Sequence, residues 1–363
     1  MSNDELKILK EVVSLPTAPF CEVQVQDYVQ HWAEKSGIHF QQDSAGNILL
    51  TYPGKGRRPR TPWVLQAHMD HPGFSVVHQR GRMVRAWFRG SVMESYFAGA
   101  RVRFFPRFGK EGCGTVESVR RDKESGFLTC RIKLDGPVDL PEGTLGMWDL
   151  PAWKKRGDQL SLRVVDDLCG VAAILTVLAR VQSEGGRRTV HGLLTRAEEV
   201  GFVGAIAAAK NKLIDPAWPV LGIEASKAQP NAKVGQGAIV RVGDASTVFN
   251  PELTSNLRKT AKKLGLKKER GLNYVESLMP GGSCESTGLA LLGYETSAVC
   301  LPLANYHNMG KNGIAPEKIS LSDYRSLVVL LAEVSQQAPH AMHQKQLKKR
   351  LLDNYKKRAP LLS

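Results

Sequence analysis

Apolar and polar positions follow two different periods along this chain, and the period changes twice. Asp4 to Val13 and Glu22 to Gly37 carry apolar residues three and four apart, which predicts two amphipathic helices, the second closed by Gly37. GNILLTYPG (46–54) then predicts a strand ending in a turn, and WVLQAH (63–68) a compact apolar strand. From about Ser75 to Gln159 the helical period disappears. SVVHQRGRMVRAWF, ARVRFFPRFG, GCGTVESVRR, GFLTCRIKLDG and DQLSLRVV alternate over short stretches between glycine and charged turns, which predicts a small all-β barrel or sandwich. At Asp166 the helical period returns. DDLCGVAAILTVLARVQS is apolar nearly all round, as a helix buried in an α/β layer would be.

Strands at 189–194, 219–223 and 296–301 then alternate with helices at GAIAAAKNKL, 251–264 and 322–337. GQGAIV (235–240) lacks the third glycine of a dinucleotide loop and reads as a turn. The alternation predicts an α/β fold: a mixed, mostly parallel sheet sandwiched by helices, with a small barrel-like all-β domain inserted. The expected boundaries are 1–74 and 161–338 for the discontinuous α/β domain, 75–160 for the insertion and 339–363 for a tail. In that tail Leu347, Leu351, Leu352 and Tyr355 form a narrow apolar stripe. A docked helix and a frayed end are both open readings.

Composition narrows the class. The chain has 363 residues, 42% of them hydrophobic and 23% charged, which is the balance of a soluble globular protein. No apolar stretch approaches the roughly 20 residues that span a bilayer, and the N-terminus has no signal-peptide core, so no membrane partner is expected and the cytoplasm is the expected location. The six cysteines are scattered, with no C-x-x-C pair, as free thiols in a reducing compartment would be. The net charge of +15 is local: 257–270 and 343–358 each carry seven bases and one acid, and together hold 12 of the excess charges. Neither run is interleaved with aromatics. Solvated helix faces are favoured over a nucleic-acid surface, with a basic rim that steers acidic peptides kept open.

The candidate chemistry sits at the strand ends. VLQAHMD ends on His68 and Asp70, LRVVDDLCG on Asp166 and Asp167, LLTRAEE on Glu198 and Glu199, VLGIEAS on Glu224, and VCLPLANYHN leads to His307. Each alone has a bland explanation as a partly buried histidine or a helix cap. Five together deliver carboxylates and imidazoles to the carboxyl edge of a parallel sheet, where α/β folds bind ligands. Crowded carboxylates repel one another, and one or two divalent cations relieve that conflict. Imidazole and carboxylate without thiolate suit zinc, with cobalt and manganese also admissible. Two histidines and three carboxylates make two three-ligand sites if one carboxylate is shared. Successive side chains in an extended segment point to opposite faces, so one of Glu198 and Glu199 can ligate while the other serves as general base.

In this order, AHMDHPGF, DDLCG, TRAEEVGFVGA and YHN, with EGTLGMWDLPAW before DD, resemble the co-catalytic dinuclear zinc exopeptidases, and within them the tetrahedral or deblocking (glutamyl) aminopeptidase family. The likeness runs from about residue 5 to 338, and the separation of 98 positions from His68 to Asp166 leaves room for the β domain that this family inserts. The resemblance implies a zinc-exopeptidase-like fold, two metal ions and a homo-oligomer. It implies that His68 and Glu224 bind one ion, that Glu199 and His307 bind the other, and that Asp166 bridges. Glu198 would be the base and Asp70 the residue that orients His68. A cis peptide between Asp166 and Asp167 is also implied.

Three positions depart from the family pattern: Glu224 where aspartate is usual, His71 where an acid follows HMD, and Cys284–Glu285 in GGSCEST where GTD is usual. The first expectation is therefore a metal-dependent aminopeptidase acting on peptides, with Glu285 a candidate partner for the substrate amine or a salt-bridged loop residue. The alternative is a carboxypeptidase or N-acyl-amino-acid deacylase acting on another amide substrate, which Glu224 and the basic surplus favour. A non-catalytic scaffold or nucleic-acid binder is a third reading, disfavoured by the complete set of ligands and base. There is no G-x-S-x-G elbow and no H-E-x-x-H helix.

Overall fold

A computed structural model describes residues 2–57, 60–265, 272–340 and 343–362, with the side chains of 343–346 and 362 excepted. Its main sheet has eight strands: β1 (His39–Gln42), β2 (Ile48–Tyr52), β3 (Trp63–His68), β4 (Val190–Thr195), β5 (Val220–Lys227), β6 (Ala238–Gly243), β7 (Tyr274–Leu278) and β8 (Thr296–Leu303). The spatial order is β1-β2-β4-β3-β5-β8-β6-β7. The four central strands, β4, β3, β5 and β8, are parallel, so their carboxyl ends share one edge. β2 and β6 flank them antiparallel. The fold is the expected mixed α/β sheet.

Alternation along the strands sorts side chains to two faces. Leu50, Leu65, Leu194 and Leu221 pack with the helices Asn3–Ser14, Val23–Ser36, Leu168–Ser183, Pro251–Gly265 and Leu321–Ser335. Their neighbours Leu49, Val64, Leu193 and Val220 pack on the other face with Val203–Lys210 and Glu285–Leu291. The helix Leu168–Ser183 buries nearly every side chain, which is why its sequence is apolar all round. The first helix is opened by a capping box between Ser2 and Glu5, and the second is closed by Gly37 in the left-handed region.

Between β3 and Asp166 the chain forms a closed antiparallel barrel from Gly73–Arg80, Met83–Arg89, Arg101–Phe105, Gly112–Arg121, Leu128–Leu134 and Leu145–Trp148. Its core is aromatic: Phe74, Phe88, Phe97 and Trp148 pack mostly edge to face, with centroids 4.8–6.3 Å apart. The segment DQLSLRVV, expected to join this β unit, does not. Trp153–Arg156 and Gln159–Leu162 form a hairpin that pairs instead with Glu317–Ser320. That pairing ties the stretch before Asp166 to the stretch after His307.

In the main sheet, β1, β6 and β7 were not expected. The turn read at 235–240 is confined to 235–237, with Gly235 and Gly237 at φ 92° and 98°, and β6 begins directly after it. β7 lies on the sheet edge beyond it. In the basic run 257–270, Arg258, Lys262 and Lys263 are exposed on their helix as expected, and residues 266–270 lie outside the described residues. The tail forms a helix, His343–Arg358, whose Leu351, Leu352 and Tyr355 are exposed.

Candidate metal centre

The register of the central strands brings the site together. Thr195 at the end of β4 pairs with His68 at the end of β3. β3 and β5 stop pairing at Gln66 and Gly222, and two residues farther along each strand stand His68 and Glu224. Asp166 precedes the buried helix, Asp167 caps that helix by accepting from Gly170 N–H at 3.1 Å, and the peptide bond joining the two aspartates is cis, as the resemblance implied. Glu198 and Glu199 lie in a short 3-10 turn after β4, entered through Ala197 at φ 52° and left through Gly201 and Phe202 at φ 108° and 60°. Gly204 closes that turn against the Arg196 backbone, where an added Cβ would collide. His307 stands in a second tight turn after β8, itself at φ 54°.

All seven expected residues converge. His68 Nε2 is 3.2 Å from Asp166 Oδ1 and 4.0 Å from Glu224 Oε2. His307 Nε2 is 3.1 Å from Glu199 Oε1 and 3.6 Å from Asp166 Oδ2. Two groups of metal-ligating atoms result, His68–Asp166–Glu224 and Asp166–Glu199–His307, each with its atoms within 4.8 Å of one another. Asp166 belongs to both. Glu198 lies alongside, its Oε2 4.0 Å from His68 Nε2, and belongs to neither.

The residues fit a cation. Asp166 Oδ1, Glu199 Oε1, Glu224 Oε1 and His307 Nε2 are buried and make no hydrogen bond to a described residue. Four orphaned polar atoms, three of them carboxylate oxygens, would be costly in a core unless something positive completed them.

The electrostatics show the same conflict. Burial pushes the Glu198 carboxyl well above its ordinary range; His68 opposes, and Glu224, Glu199 and Glu285 push further up. Burial likewise raises Glu224 to about 8 against the pull of His68. His68 and His307 are pushed down by burial, yet the surrounding carboxylates outweigh it and hold both well above the usual imidazole range. For Asp166 burial is outweighed by the two histidines, which hold it low.

Asp70 holds more than His68. Its carboxylate accepts the backbone N–H groups of Glu198 at 2.9 Å and Glu199 at 3.1 Å. His68 Nδ1 lies 3.1 Å from the backbone carbonyl of Asp70 and 3.5 Å from its carboxylate. His307 Nδ1 is 2.7 Å from the carbonyl of Ser91, which joins the barrel to the site. His71 bridges Asp166 O at 2.5 Å and Asn308 Oδ1 at 3.0 Å.

Three supporting residues escaped the sequence reading. Glu317 is wholly buried: one oxygen accepts from Val165 and Asp166 N–H at 2.7 and 3.2 Å, and the other from His307 N–H at 2.8 Å. Glu22, also buried, takes Ala197 N–H at 3.1 Å and Arg196 Nε at 2.8 Å, bracing the turn that carries Glu198. Arg241, 1% exposed within β6, sets its Nε 3.1 Å from Cys300 and lies in the field of Glu224. Glu285, expected as an amine partner or a salt-bridged loop residue, is neither. It is fully buried, with its carboxylate hydrogen-bonded to Gln66 and to Thr195 Oγ1.

A cleft of about 410 Å³ opens over the group. Asp166, Glu198, Glu224, Arg241, Met279 and Tyr306 are on its wall. No described helix is long and apolar enough to cross a membrane.

Residues 140–315 match the model of the M42 glutamyl aminopeptidase family. A curated protein of Acetivibrio thermocellus, named for a proposed aminopeptidase activity, is 24% identical over 91% of this chain and 98% of its own. An aminopeptidase from the archaeon Desulfurococcus kamchatkensis superposes with a TM-score of 0.75 at 20% identity, over 93% of this chain and 96% of its own. The TET1 peptidase of Pyrococcus horikoshii, described as assembling into a tetrahedron or a large octahedral shell, gives 0.74 at 18% identity, over 92% and 99%. With that match, and with the sheet and its inserted barrel, the chain resembles the M42 aminopeptidase family and is a peptidase-type hydrolase.

Proposed function

We propose that this chain is a dinuclear metal-dependent aminopeptidase that removes N-terminal residues from peptides, with Glu198 as general base. The observation that carries the reading is the sharing of Asp166 between two ligand groups, with Glu198 beside both and committed to neither. His68, Asp166 and Glu224 would hold one ion, and Asp166, Glu199 and His307 the other. Zinc suits the donors best, and cobalt and manganese are admissible. Bound ions would acidify the attacking water and polarise the scissile carbonyl.

The chain's own residues do the rest. Glu198, on the cleft wall, takes the water's proton and returns it to the leaving amine. Asp70 and Glu22 hold the turn that aims it. Asp70 O and Ser91 O fix the rings of His68 and His307. The cleft volume suits one residue of a peptide and its neighbouring amide. A carboxylate-seeking deacylase or carboxypeptidase is the second reading, since Lys227 and Arg241 also line the cleft and offer positive charge to a substrate carboxylate.

The same reading takes the inserted domain as the barrel from Gly73 to Trp148, the chain before it and from the Trp153–Leu162 hairpin to 338 as the catalytic domain, and 339–363 as the tail. Self-association is inferred from the assembling relative, and a reducing cytoplasm is consistent with the six free cysteines.

Protein loaded with zinc or cobalt, incubated with a mixed pool of free and N-acetylated peptides and read by mass, tests the activity. Trimming of free N-termini alone supports the reading. Cleavage at the carboxyl end, or release of acetylated residues, replaces it with the carboxypeptidase or deacylase alternative.

A further inference from the structure

The cleft wall beside the ligands is rich in acceptors: Asp166, Glu198 and Glu224 all contribute to it. A carbonyl that becomes an oxyanion there needs donors, placed before the reaction begins. Three side-chain hydroxyls are on that wall, those of Ser226, Ser283 and Tyr306. Ser226 Oγ is engaged with Met279 Sδ at 3.4 Å and Ser283 Oγ with Ser246 Oγ at 2.5 Å. The Tyr306 hydroxyl makes no hydrogen bond to a described residue.

Tyr306 is also held rigidly. Its ring stacks on His307, with centroids 3.7 Å apart and planes 23° from parallel. The residues around it are pinned: Asn305 Nδ2 donates to Pro316 O at 2.8 Å, His307 N–H to Glu317 at 2.8 Å and Asn308 Nδ2 to Arg163 O at 2.9 Å. Asn305, His307 and Asn308 take φ of 60°, 54° and 61°, a left-handed conformation that suits the asparagines and folds the segment into a tight turn. The turn thus presents a ligand and a phenol side by side, with the phenol unspent.

We propose that Tyr306 is a catalytic residue whose phenol O–H donates a hydrogen bond to the scissile carbonyl oxygen as negative charge develops on it. The inference rests on the aminopeptidase reading. The water oxygen bonds to the carbonyl carbon, the C=O π pair moves onto the oxygen, and Glu198 receives the water's proton. Tyr306 keeps its own proton throughout and stabilises the oxyanion. The pair then returns, the C–N bond breaks, and Glu198 delivers its proton to the amine.

Tyr306→Phe removes the donor and keeps the ring on His307. On a peptide with a free N-terminus and uncharged side chains its kcat should fall about 100-fold with KM unchanged. Bound metal and melting temperature should match the wild type. A phosphinic peptide analogue, which mimics the tetrahedral state, should lose affinity by the same factor, while a simple product amino acid should not. A kcat within about threefold of wild type, or a loss of metal from the variant, overturns the proposal, the latter by reducing Tyr306 to a support for His307. Wild-type protein that trims no peptide refutes the aminopeptidase reading itself, whereas equal activity in wild type and Tyr306→Phe refutes only the role of Tyr306.

Discussion

The carboxylate of Asp70 accepts the backbone N–H of Glu198 at 2.9 Å, so the residue two places after one candidate ligand positions the candidate base in the turn after another strand. Its second oxygen does the same for Glu199. Asparagine offers one oxygen and turns an N–H toward the other donor. Asp70→Asn should therefore lower kcat by about 10–100-fold and weaken metal binding, measured by steady-state kinetics beside metal analysis. Unchanged kcat would show that the turn holds itself.

Glu198→Gln keeps the shape of the base and removes its proton affinity. Turnover should fall at least about 1000-fold, with metal content nearly that of wild type. His307→Ala should instead lose metal. Metal analysis of both variants checks the assignment, and the reverse pattern would exchange their roles.

Glu317→Gln should destabilise the fold by about 1–3 kcal/mol, because two buried N–H donors share one oxygen and a third takes the other. It should also weaken metal binding, since those donors belong to the segments that carry Asp166 and His307. Denaturant melts of the metal-free protein separate the first effect from the second. A variant as stable and as tightly loaded as wild type would remove Glu317 from the account.

How far the site could be read in the sequence divides along physical lines. His68, Glu198, Glu199, Glu224 and His307 were visible because each follows an apolar run that forms a parallel central strand, and such strands deliver their ends to one edge; Asp166 was visible from its apolar run too, although that run leaves the separate hairpin sheet. Glu317 and Glu22 were not, because their partners are backbone N–H groups about 150 residues or more away in most cases, and no local pattern marks such a contact. Arg241 hid inside β6, a strand missed because two glycines introduce it and because it runs antiparallel to β8. Its charge interrupts the apolar run, and only the neighbouring Glu224 and Cys300 explain why it is tolerated. The hairpin Trp153–Leu162 was assigned to the β unit on its alternation, which cannot say which strand it joins.

Far from the site, His191 gives a pH prediction. It is buried in β4, stacked on Trp218 at 4.2 Å, and burial lowers it from 6.5 to about 4. The unfolded chain therefore binds the proton first. Stability is full above about pH 6.5 and falls as pH drops from there toward 4, by up to about 3 kcal/mol. His191→Gln should flatten that part of the curve in melts from pH 7 to pH 4.5. A parallel curve for the variant would exclude His191 as its source.

The central claim is that one carboxylate serves two metal ions, and metal content per chain in Asp166→Ala tests it most directly. Wild-type protein equilibrated with zinc should hold two ions per chain, and the variant should lose both together, leaving far fewer than one. Loss of a single ion, with the other retained at wild-type affinity, would contradict the shared site and the mechanism built on it.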